Sequence, residues 1–144
     1  MRKTAAVVLA LAPAAALALG DHFAVSATYL APARPKTNAA VAVTFVGADP
    51  DVRINQDPGP RLKLDAPQTV LLDRQAPASR KGEAGGEPKY LDLSLPITFP
   101  VALNPKAPKG EQPVSGTVTY FYCSKREAWC RKGTAEIEFT VPVP

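Results

Sequence analysis

The chain is poor in the residues from which most hydrolytic and metal centres are built: its 144 residues include two cysteines, one histidine, one tryptophan and one methionine. With His22 as its single histidine, close to the start of the chain, the sequence offers no histidine-based hydrolytic constellation. Two sulfurs and one imidazole fall short of the four ligands that structural zinc takes, so no metal site and no cofactor are expected. A phosphate-binding glycine loop is missing as well, because Gly85-Gly86 is an isolated doublet with no helix signal behind it. Asp49 and Asp51, a close pair of acids of the kind catalysis can use, flank Pro50 and read as turn formers. Charge of one sign is scarce: 17 basic residues face 13 acidic ones, for a net of +4, which is too weak to argue for nucleic acid.

Long apolar runs are absent except at the very start. Arg2 and Lys3 precede an Ala-, Val- and Leu-rich stretch from Thr4 to Leu19, and small residues at Ala16, Ala18 and Gly20 stand at cleavage-compatible spacing. That pattern predicts a cleaved signal peptide over residues 1–20. The run is short for a bilayer span and is interrupted by Pro13. No cysteine follows it, which argues against a lipid anchor. The expected product is a periplasmic or secreted domain over residues 21–144, without a transmembrane segment and large enough for one hydrophobic core. Its charge excess is halved once Arg2 and Lys3 are gone.

What the sequence does have is proline, 16 in all, together with many short β-branched and aromatic runs. Proline at this density breaks helices. Phe23–Leu30 reads as a strand, and Ala39–Val46 as a central one because both of its faces are apolar. Val52–Ile54 is a short extended piece, Asn55–Pro60 a turn, and Arg61–Asp65 a strictly alternating, half-exposed strand. Thr69–Leu72, Tyr90–Leu95 and Ile97–Leu103 continue the series. Gln75–Glu87 reads as either a mobile surface loop or a partner-binding flap, and Asn104–Pro113 as a Pro- and Lys-rich connection. The expectation is an all-β, immunoglobulin-like sandwich of about seven or eight strands.

The last two runs frame the cysteines. Thr117–Tyr122 leads into Cys123, and Ala135–Val141 follows Cys130, so the two sulfurs are expected to face each other across a β-hairpin and, in an oxidising compartment, to pair. Alternation puts Val118, Tyr120 and Tyr122 on one face and Thr117, Thr119, Phe121 and Cys123 on the other. In the partner strand Ala135, Ile137, Phe139 and Val141 point to the core, and Glu136, Glu138 and Thr140 to water. Lys125, Arg126, Arg131 and Lys132 surround the pair. They form either a solvated hairpin tip or a basic patch that binds a partner and favours a thiolate. Trp129, beside Cys130, either packs on the hairpin or shields the sulfurs. Residue chemistry alone leaves the bond either redox-active or purely structural, and the Cys-x-x-Cys spacing of thioredoxin is absent.

Tyr120-Phe121-Tyr122-Cys123 followed by Cys130, with Ile54-Asn55, Pro58-Gly59-Pro60 and a Leu-rich strand ending in proline upstream, resembles the N-terminal domain family of the transmembrane thiol:disulfide interchange protein DsbD. It is also similar to related β-domains that accompany some NHL-repeat and thioredoxin-like proteins. The resemblance implies an immunoglobulin-like sandwich whose Cys123 and Cys130 pass electrons between a membrane donor and thioredoxin-like partners. Lys125, Arg126, Trp129 and Arg131 then become candidate partner-binding residues. Two departures stand out: six residues separate the cysteines where the family has five, and the segment Asp73–Pro88 lacks the aromatic that caps the disulfide there. A non-catalytic binding or assembly module with a structural disulfide is the alternative.

Overall fold

The computed structural model describes residues 18–19, 22–34, 38–66, 68–74 and 90–144. Nearly all of the expected leader, and the Gln75–Glu87 loop, lie outside these residues. No helix occurs among the described residues, so none is long and apolar enough to cross a membrane. The strands are β1 (Ala18–Leu19), β2 (Phe23–Leu30), β3 (Ala39–Gly47), β4 (Val52–Ile54), β5 (Arg61–Leu64), β6 (Leu71–Asp73), β7 (Ile97–Leu103), β8 (Gly110–Ser124) and β9 (Trp129–Val143).

They form two antiparallel sheets. The first has the order β1-β2-β3-β7-β6, with β3 at its centre as its doubly apolar pattern requires. In the second, β8 is paired with β9 along one edge, while β4 and then β5 share its other edge. The interruption between β4 and β5 is the Asn55–Pro60 turn, which contains a cis Asp57-Pro58 bond. β1 lies within the segment read as the leader and pairs Ala18 with Val25 and Leu19 with Ala24.

The two sheets bury a core between them, because alternate residues of each strand carry the apolar side chains inward. Val25, Val41, Val43, Val101 and Leu71 from the first sheet are fully buried, as are Val118, Tyr120 and Val141 from the second. At one end the core is aromatic: Phe23, Phe45 and Tyr120 meet edge to face with ring centroids 5.3–6.2 Å apart. Gly133 stands opposite Tyr120 in the β8–β9 register, and a Cβ there would come within 2.7 Å of the Tyr120 ring. A side chain at that position would displace the ring that fills the core.

The hairpin strands are longer than expected, fifteen residues each, and take in residues read as a connection. Pro113 is tolerated inside β8 because it lies in the half of the strand beyond Gly116, where β5 no longer pairs with it. Pro100 is tolerated inside β7 for a related reason, since β6 ends opposite Val101. Tyr90–Leu95, read as a strand from its alternation, is not one. Tyr90 and Leu91 occupy isolated bridge positions, Tyr90 opposite Asn55, and Leu91 donates to the Ile54 carbonyl at 2.9 Å. The chain then turns, with Asp92 accepting from the Ser94 N–H at 3.0 Å. Tyr90 and Leu91 are buried by this docking, so the apolar signal was genuine although its period was misleading.

Candidate functional site

The site is built on the neck of the β8–β9 hairpin. Cys123 and Cys130 are direct register partners, their Cα atoms are 4.0 Å apart, and their sulfurs are bonded at 2.06 Å. Because Tyr122 points into the core, Cys123 points to the outer face of its sheet, and its partner does likewise. The two cysteines differ in exposure: Cys123 is 7% exposed, whereas Cys130 is an exposed residue.

The register defines what else shares that face. Arg53 of β4 pairs with Cys123, giving a row Arg53, Cys123, Cys130. The neighbouring row is Tyr90, Asn55, Phe121, Lys132, with the Asn55 N–H donating to the Phe121 carbonyl at 2.8 Å. Arg53 lies over the Tyr90 ring, 5.7 Å from its centroid. The side-chain amide of Asn55 lies against the buried sulfur, with Oδ1 3.3 Å from Cys123 Sγ. A disulfide sulfur has lone pairs and no proton. A half-turn of the amide exchanges Oδ1 for Nδ2, and that orientation supplies the donor.

The residues expected to bind a partner lie elsewhere. Ser124 and Trp129 are the next register pair, so Trp129 projects from the opposite side of the ribbon to the sulfurs. There it meets Tyr122 edge-on with centroids 5.7 Å apart, carries the Arg131 guanidinium 4.4 Å above its ring, and donates its indole N–H to Glu127 at 2.8 Å. Packing, not shielding, is therefore its role in this arrangement. Lys125 is exposed in the turn, and Arg126 forms an exposed ion pair with Asp49 at 3.3 Å. Lys132, by contrast, shares the face of the sulfurs.

Three residues to which the sequence gives no functional role turn out to frame the hairpin. Asp51 accepts a hydrogen bond from the Ser124 hydroxyl and two contacts from the Arg126 backbone N–H, at 3.0 and 3.2 Å. The Ser124 hydroxyl, then the Arg126 N–H and the charges of Arg126 and Arg53, hold the Asp51 carboxyl below its ordinary value against the opposing effect of burial. Asp51 thus clamps the hairpin tip onto the β3–β4 turn. His22 is exposed, and its ring packs 5.4 Å from Tyr122 and 5.6 Å from Trp129. Its φ of 61° is a left-handed conformation that histidine visits more readily than most residues. Asn55, the third, reads in sequence as a turn residue. Its contact spans 68 positions and Asp51's contacts span up to 75, so no local pattern announces them.

No group of three or more His, Cys, Asp or Glu side chains placed to hold a metal ion occurs among the described residues. The chain is thus an all-β protein of two antiparallel sheets carrying a cross-strand disulfide at the neck of its longest hairpin. Comparison with family models, with curated proteins and with solved structures gave no match.

Proposed function

We propose that this chain is an exported thiol–disulfide exchange module, an immunoglobulin-like sandwich working as the N-terminal domain of DsbD does, in the periplasm or a comparable oxidising space. The observation that carries the reading is the asymmetry of the bond: Cys130 is exposed and Cys123 is shielded beside a polar amide. A fully buried structural disulfide gives an external thiolate no approach, whereas here the pair has one exposed residue, Cys130, to be attacked and one shielded residue, Cys123, to leave. The incoming thiolate attacks Cys130 Sγ and forms a mixed disulfide. The Cys123–Cys130 bond breaks and its electron pair passes to Cys123 Sγ. A second thiolate then releases Cys130, so that two thiols are oxidised and the pair is reduced. Partners of this chemistry are a thioredoxin-like protein or a membrane electron donor.

Equilibration of the native protein in glutathione buffers of known poise tests this. The exchange reading expects a midpoint between about −280 and −180 mV, and a Cys123→Ala variant that traps a thioredoxin-like partner on Cys130. A midpoint below about −300 mV, the range of structural disulfides, refutes it.

A second reading, a non-catalytic binding module, draws on a different feature. At the far end of the ribbon, Tyr29, Pro32, Leu103, Pro142 and Val143 line an open, largely apolar groove of about 560 Å³. Burial raises the Tyr29 phenol above its ordinary value. Ligand-dependent protection of this groove, with a redox-inert disulfide, would favour that alternative.

A further inference from the structure

We infer that Asn55 is a catalytic residue of the exchange reaction, acting as the hydrogen-bond donor that stabilises Cys123 as the leaving thiolate; this rests on the exchange reading above. Cys123 Sγ is the sulfur that receives the electron pair when Cys130 is attacked, and it sits in a site only 7% exposed, where water cannot solvate a full negative charge. A thiolate formed there without a donor would be disfavoured by desolvation.

Asn55 is the side chain placed to meet that need, its amide 3.3 Å from the sulfur. Its position is set by backbone geometry, not by chance rotamer contact. It follows β4, its N–H is donated to the Phe121 carbonyl at 2.8 Å, and it bridges to Tyr90 on its other side. An amide suits both protonation states of the sulfur: Nδ2–H donates to the thiolate, and Oδ1 accepts from the thiol once a proton has been taken up. A carboxylate can serve only the second state. The Arg53 guanidinium, in the same row as the two sulfurs, adds positive potential to that face.

The reaction step is balanced by the partner thiol. The bond from the partner's sulfur to Cys130 Sγ forms as the Cys130–Cys123 bond breaks, and Cys123 Sγ leaves as a thiolate accepting the Asn55 Nδ2–H. The reverse attack by the same thiolate restores the disulfide and expels the partner. A lower Cys123 pKa speeds its departure.

The test uses the full chain with Cys130→Ala, which frees Cys123 without any reductant, and reads its thiolate by absorbance near 240 nm through a pH titration. We expect Asn55→Ala to raise the Cys123 pKa by about one unit and the near-isosteric Asn55→Asp to raise it further. In the chain with both cysteines present, the same substitutions slow reduction by dithiothreitol about three- to five-fold at fixed pH. Thermal unfolding of each variant is recorded alongside, and the aspartate variant, which keeps the side chain's size, covers the case in which alanine perturbs folding. A Cys123 pKa that stays the same to within about 0.2 units whether position 55 is native or carries N55A or N55D overturns the assignment. A structural-range redox midpoint would refute the exchange reading separately, since the titration does not depend on it.

Discussion

Redox cycling requires that the protein stay folded when its one disulfide is open, and the hairpin geometry allows the cost of opening it to be worked out. A separation of seven positions closes a small ring, and loop-closure entropy for a ring of this size is worth about 2.5 kcal/mol at 25 °C. Replacing both cysteines by alanine also removes the packing of one shielded sulfur, so the expected loss is about 3 kcal/mol. Against this stand the other register pairs of β8 and β9, which run from Gly110↔Val143 to Ser124↔Trp129, and the Asp51 clamp on the tip. A domain of this size has a total stability on the order of 5–15 kcal/mol. The Cys123→Ala, Cys130→Ala protein should therefore unfold cooperatively in urea with its midpoint lowered, and melt about 10 °C below the oxidised protein. Its denaturant dependence should steepen slightly, because the open denatured chain exposes more surface. The reduced wild-type protein, which keeps the shielded sulfur, should lose slightly less, about 2.5 kcal/mol. A double variant that is already unfolded at 25 °C, or one whose stability equals that of the oxidised protein, would refute the reasoning.

Two further perturbations test the frame around the bond. The Asp51 carboxyl has a folded-state pKa below its unfolded value, so its contribution is present above the unfolded value of about 3.8 and is lost as pH falls through the lower folded value. Thermal scans between about pH 6 and pH 2 should show this loss in the wild type and a shallower one in Asp51→Asn; identical profiles would remove the clamp from the account. Trp129→Ala should cost about 1–2 kcal/mol, through loss of its contacts with Tyr122, His22 and Arg131, while Trp129→Phe recovers most of it because the edge contact with Tyr122 needs no indole N–H. Urea titration of both variants checks this, and a neutral alanine would mean that the aromatic stack adds nothing.

Much of the fold was legible because strand periodicity is a local property. Phe23–Leu30 matches its predicted bounds, Ala39–Gly47 sits at the centre of its sheet as a doubly apolar strand must, and the alternation through Ala135–Val141 is followed residue by residue in burial. Tyr90–Leu95 failed because alternation also arises when a docked segment buries two side chains before turning. Proline misled in the other direction: Pro113 read as part of a connection, yet it occupies a strand position where a pairing neighbour has ended.

For the candidate site the division is sharper. That the two cysteines meet at the neck of a hairpin is legible from local pattern, since a six-residue spacer between two alternating runs leaves few other outcomes. What surrounds them comes from segments far apart in the chain. The register sends Trp129 and Arg131 to the side of the ribbon away from the sulfurs, and brings Asn55, Arg53 and Tyr90 onto theirs from distant parts of the chain. The physical reason is that a residue's face within a strand follows from its neighbours in sequence, whereas its cross-strand company depends on how separate strands align in register, which no local pattern encodes.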